Sequence, residues 1–204
     1  MKSYTITRAD NGLDETRTPI LSINTPYLQT PPNVHAYAQI GYTADALLLH
    51  LWIDVPKVRA EETGPIGMPC KDSCLEFFFQ PEPDDPRYIN VEFNSNGCLY
   101  LGMGTCIQDL IRLLPEADIC SIFDPRIQKL EHGWEIHYQI PYSLIRRLFP
   151  KFTAAPGKTI RANCYACSDL SQPHYYLSWN PITEEPFTFH HSSCFGSMTF
   201  AYAF

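Results

Sequence analysis

The chain has 204 residues, 45% of them hydrophobic and 13% aromatic, a composition that excludes intrinsic disorder. Lysine and arginine total 15 against 22 aspartates and glutamates, a formal charge of −7, and no basic run occurs, so nucleic acid and anionic membranes are poor partners. No apolar stretch approaches the roughly 18–20 residues of a membrane helix.

Residues 1–30 read as a lead-in strand and loop, opening a single domain over 1–204. Met1 to Asp10 holds no apolar run of about 7–15 residues of the kind a signal peptide needs, and a cytoplasmic location is expected. In that setting the eight cysteines are expected to be buried, reduced thiols. Strands are expected over 35–42 and 46–55, joined by Thr43-Ala44-Asp45. A third runs over 73–80 and ends in the proline-rich turn at 81–86. A fourth, 88–94, turns through Ser95-Asn96-Gly97 into 98–103. Apolar residues at 107, 110, 111 and 114 predict a short helix. Strands 127–130 and 134–140 flank His132-Gly133, and 141–149 reads as one or two helical turns starting at proline. Strands 160–167, 175–179 and 196–202 complete the set. The 18 prolines outnumber the 10 glycines and fall between apolar runs. The fold class expected is all-β, a two-sheet antiparallel sandwich of jelly-roll type with one or two short helices.

Alternation divides the faces. Leu75, Phe77 and Phe79, Ile89, Val91 and Phe93, and Ala162, Cys164 and Ala166 form the core-facing set. The opposite set carries Glu76, Asn90, Glu92, Asn94, Arg161, Asn163 and Tyr165. Such a face, if its strands are neighbours, suits a sugar: carboxylates and amides bond adjacent hydroxyls, and an aromatic ring covers the C–H face of a pyranose. A solvated outer face is the competing reading. Metal binding is not expected. Cys164 and Cys167 are three apart on a strand and point to opposite faces, and His190-His191-x-x-Cys194 lacks the second half of a zinc site.

Six ordered segments carry a resemblance: Asp72-Ser73-x-x-Glu76-Phe77-Phe78; Tyr88-x-Asn90-x-Glu92-Phe93-Asn94-x-x-Gly97; Trp134 through Ile140-Pro141; Arg161-Ala162-Asn163-x-Tyr165-x-Cys167-x-Asp169; His174 through Trp179-Asn180-Pro181; and Pro186-x-x-Phe189-His190 through Phe195-Gly196-x-Met198-x-Phe200. Together, over about residues 34–200, they resemble the family 9 carbohydrate-binding modules, in a free-standing, leaderless branch. The resemblance implies a non-catalytic β-sandwich that grips a mono- or disaccharide or a glycan end, in carbohydrate catabolism. It implies Trp179 as the stacking platform, Glu76 as acceptor from two hydroxyls, and Asn94 and Arg161 as donors. Asn163 is either a ligand or a structural residue, and Asn90 and Glu92 share the polar face. The family's second clamp tryptophan is missing, because 67–71 reads Gly-Met-Pro-Cys-Lys; Trp52 is the candidate substitute, while Trp134 reads as core. No cofactor is expected beyond the structural calcium that the resemblance implies, for which no ligands are recognisable; Asp84-Asp85 reads as a solvated turn.

Two other functions compete. A glycosidase would use Glu76 and Glu92 as its carboxylate pair, but polar surroundings and a neighbouring Arg161 are expected to keep both pKa values low, whereas one must be raised. An accessory subunit of a carbohydrate-active enzyme would keep the sandwich and lose the sugar site.

Overall fold

The structure is a computed structural model that describes residues 1–28, 30–115 and 118–202. Its strands are β1 (Ser3–Arg8), β2 (Leu21–Ile23), β3 (Thr25–Tyr27), β4 (His35–Tyr42), β5 (Ala46–Asp54), β6 (Cys74–Gln80), β7 (Tyr88–Asn94), β8 (Leu99–Gly104), β9 (Ile111–Arg112), β10 (Arg126–Leu130), β11 (Gly133–Pro141), β12 (Thr159–Ser168), β13 (Tyr175–Ser178) and β14 (Gly196–Phe200). Two short helices, α1 (Ile119–Phe123) and α2 (Tyr142–Leu148), lie between them.

The strands follow one path, β10-β11-β5-β4-β1-β14-β12-β6-β7-β8-β9, with β2 beside β4, and β13 between β12 and β3. The mostly-β fold is as expected, and its strands join in one curled mixed sheet. The cause is β1. Its first residues run parallel to β14, from Ser3↔Ser197 to Ile6↔Phe200, and its last two run parallel to β4. This strand carries the chain from one half of the sheet to the other; the other pairings between these strands are antiparallel, and one isolated parallel bridge joins Ile66 to Leu99.

The two halves close over one core. Leu47, Leu49, Leu51 and Ile53 of β5 share it with Phe77 and Phe79 of β6 and with Val91 and Phe93 of β7, all at or near zero exposure. Rings meet across it, as in Phe93 against Tyr138 with centroids 5.1 Å apart. Trp134 is wholly buried, as expected, and its Nε1 donates to Ser73 Oγ at 3.0 Å, which in turn lies 2.7 Å from Tyr175 Oη. That chain satisfies three buried polar groups and pins β11 to the approach of β6. The predicted helix at 107–114 is instead one 3₁₀ turn, Ile107–Asp109, followed by β9: Asp109 accepts from the backbone N–H of Thr105 and Cys106 in a capping box at the start of the turn, and extended backbone at Leu110 ends it.

Candidate functional site

The outward face of the second half is not solvated. Cys74, Phe78, Tyr88, Tyr165 and Cys167 point that way and are buried beneath Phe189 and Phe195 from the irregular segment after β13. Inside this cover an opening of about 450 Å³ remains. Its floor is one cross-strand row, Glu76 of β6 opposite Glu92 of β7 and Glu92 opposite Tyr100 of β8, continued under the cover by Tyr165 of β12, which lies opposite Glu76 and is wholly buried. Asp169, Tyr176, His190, Phe187 and Phe189 stand around it, and the exposed side chains of Leu28, Met68 and Ile107 form its mouth.

Burial sets the electrostatics of the floor. Glu76 is 2% and Glu92 7% exposed. Loss of hydration pushes Glu76 up to about 7; the Cys167 thiol, which donates to its Oε1 at 3.1 Å, opposes the rise, and the charge of Asp169 adds to it. Glu92 is pushed well above the carboxylate range, first by burial and then by Glu76 beside it. The two titrate as a pair that keeps a proton near neutrality. Asn90 Nδ2 donates to Glu92 Oε1 at 2.7 Å and holds it in place. His190 is neutral, its pKa lowered to about 4 by burial and then by His191, and its Nδ1 lies 2.7 Å from Tyr88 Oη.

Asn90 needs Gly102, its cross-strand neighbour, because a Cβ there would overlap Asn90 Oδ1 and come within 2.8 Å of Tyr100 Cε1. Gly102→Ala is expected to push Asn90 off Glu92 and shift the Tyr100 ring. A loss of stability of about 1–3 kcal/mol, read by urea unfolding, should accompany weakened ligand binding.

The expected site residues divide sharply. Glu76, Glu92 and Asn90 meet in the hollow or directly behind it. Trp179 does not. It is 5% exposed, belongs to the main core, and lays Cη2 where a Cβ on Gly196 would come within 2.7 Å, so no ring face is open to a sugar. Asn94 is a loop anchor: Oδ1 accepts from the N–H of Asn96 and Cys98, and Nδ2 donates to Glu62 O and Asp72 Oδ2. Asp72 also accepts from the N–H of Glu61 and Glu62 and pairs with Arg59 at 3.3 Å. Arg161 donates to Ser193 O and Phe195 O, so it holds the covering segment and lies off the glutamates. Asn163 bonds both backbone groups of Asn180, the structural one of its two readings. Trp52 sits on the other half of the sheet, stacked on Tyr37 and His50. Cys164 and Cys167 face opposite sides, one in each apolar cluster, as their spacing required.

Tyr100, Tyr176, Asp169 and His190 are the wall residues that the reading above missed. Two were legible. The turn at 95–97 sets Glu92 opposite Tyr100, and the alternation Tyr175, Leu177, Trp179 buries those three and turns Tyr176 outward. Arg112 is a further addition: its guanidinium lies over the Tyr100 ring at 4.4 Å and its charge reaches Glu92. The acidic turn offers little to calcium, since Asp85 spends both carboxylate oxygens on Arg87.

The profile of carbohydrate-binding family 9 matches residues 10–200. The chain belongs to that family. Among solved structures, a provisionally named carbohydrate-binding protein from Bacteroides uniformis is similar over 98% of this chain and 99% of its own, at 25% identity and a TM-score of 0.83. A family 9 module from Caldicellulosiruptor kristjanssonii in complex with glucose covers 99% and 97% at 13% identity and a TM-score of 0.67. A further structure of such a module from that organism, with cellotriose, gives 98% and 94%, 13% and 0.65. The last two establish likeness of fold. No curated protein sequence matches the chain.

Proposed function

We propose that the hollow over Glu76 and Glu92 binds a neutral mono- or disaccharide, or the end of a glycan, without catalysing a reaction. The observation that carries this is the floor itself, two buried and directly opposed glutamates, both with raised pKa values, at the bottom of an aromatic-walled cavity. A carboxylate accepts from sugar hydroxyls while a carboxylic acid donates to them, so the pair offers both halves of a hydroxyl's bonding. The Tyr100 and Tyr176 rings supply apolar faces for the C–H side of a pyranose. Membership of the family, and the sugars held by the two modules of like fold, point the same way.

One feature favours glycoside hydrolysis: the floor glutamates have the raised pKa that a general acid requires. The earlier objection, that polar surroundings and Arg161 keep them low, does not hold. Position speaks against the reading instead. Glu76 and Glu92 are directly opposed on adjacent strands and face the same way, so both lie beneath a bound ring. A hydrolase needs its two carboxyls to flank the scissile bond. No release of aglycone from aryl glycosides is expected.

Calorimetric titration with glucose and cellotriose is the test. Tyr100→Ala and Tyr176→Ala are each expected to weaken binding by about 5- to 30-fold, through loss of about 1–2 kcal/mol of ring contact. Glucuronate should bind more weakly than glucose, since its carboxylate would face Glu76, Glu92 and Asp169. Binding untouched by both tyrosine substitutions would exclude the hollow.

A further inference from the structure

On the outer face of the other half of the sheet, His50 of β5 and His137 of β11 are directly opposed, and Glu15 reaches over them from the loop between β1 and β2. His50 Nδ1 and His137 Nε2 each lie 3.8 Å from Glu15 Oε1, and the three atoms all fall within 4.8 Å of one another. His50 is 5% exposed and its Nδ1 has no hydrogen-bond partner. Its other nitrogen, Nε2, lies 3.1 Å from Glu135 Oε2. A ring proton held on Nε2 by that carboxylate would leave the Nδ1 lone pair free and facing Glu15. An orphaned buried acceptor carries a cost unless something takes it up.

We propose that Glu15, His50 and His137 form a binding site for a divalent transition-metal ion of the zinc class. Two imidazoles and one carboxylate suit zinc, whereas calcium takes oxygen ligands throughout. Around a tetrahedral ion with bonds of about 2.0–2.1 Å, ligand atoms stand roughly 3.3–3.4 Å apart, so the two 3.8 Å spacings to Glu15 must shorten and the two rings must turn toward one point. The supports are present. Glu135 is the outer carboxylate that orients a ligating histidine. Buried Gln39 donates to the backbone oxygens of Glu15 and Thr18, at 2.8 and 2.7 Å, and fixes the loop that carries Glu15. Trp52 stacks on His50 at 4.7 Å and walls one side. A cavity of about 340 Å³ bordered by Glu15, His137 and Asp124 gives entry from solvent and room for water as a fourth ligand. Arg126 lies opposite His137, and its Nε pairs with Asp124 at 3.8 Å. The two rings now stack with centroids 3.9 Å apart and planes 11° from parallel. Capture of an ion turns them about their Cβ–Cγ bonds until the lone pairs converge, which breaks the stack.

The full chain, stripped of metal and titrated with cobalt(II), tests this. One equivalent should bind with d–d absorption and no thiolate charge-transfer band, and zinc should displace it while excess calcium does not. His137→Ala should abolish the signal, and Glu135→Gln should weaken uptake by about 10- to 100-fold. In the unsubstituted protein the paramagnetic ion should broaden the ring proton resonances of His50 and His137 before those of other histidines, a readout that needs no variant to fold. Absence of uptake, or uptake that leaves those resonances sharp, overturns the proposal. So does a charge-transfer band lost in Cys167→Ser, which would put the ion on the buried Cys74, Glu76 and Cys167 cluster instead.

Discussion

Glu76→Gln is expected to raise stability near neutral pH and at the same time destroy sugar binding. In the folded chain burial raises the Glu76 pKa to about 7, whereas the unfolded chain titrates near 4.5. Between those values the folded state holds the extra proton, so stability is fullest at acid pH and falls as pH rises through the folded pKa. Glu92 shifts in the same direction and extends the decline upward. Glutamine keeps the shape and the acceptor for Cys167 while removing both the charge and the repulsion. A gain on the order of 2 kcal/mol at about pH 8, or about 4–8 °C in Tm, is expected, vanishing near about pH 4. Binding of glucose should weaken at least about tenfold, because a charged acceptor is worth more to a hydroxyl than a neutral one. Melting curves across pH for both proteins check the first half and calorimetry the second. Equal pH dependence in the two would mean that Glu76 is hydrated and ordinary.

The second large effect falls on Trp179. Truncation to alanine removes a ring that is 5% exposed and packed over Gly196 in the main core. The expected loss is about 3–5 kcal/mol of stability, the usual cost of emptying an aromatic core site. Sugar affinity of whatever fraction stays folded should be unchanged. Chemical unfolding of Trp179→Ala beside Tyr176→Ala separates the roles: the first should lose stability and keep binding, the second the reverse.

That contrast shows where sequence reasoning reached and where it stopped. Strands 35–42 and 88–94 were legible to the residue, because alternation and flanking turns agreed. The shared face of Glu76 and Glu92 followed from the same period. Trp179 was assigned from resemblance, although its own alternation with Tyr175 and Leu177 placed it inward. Two features left no local signal. The parallel pairing of β1 joins residues nearly the whole chain apart, Ser3 with Ser197, and no short-range pattern encodes it. The cover over the glutamates is the aperiodic segment carrying Phe187, Phe189 and Phe195, so a face that reads as wet is in fact buried. The pKa values follow from that cover and were out of reach without it.

Sugar is proposed to sit over the paired glutamates, with Trp179, near the end of the chain, taking no part. Titrating cellotriose into the unsubstituted protein, Trp179→Phe and Glu76→Gln tests it most directly. The account predicts matching affinities for the first two and at least about a tenfold loss in the third. Loss of binding in a folded Trp179→Phe, with Glu76→Gln binding normally, would contradict it.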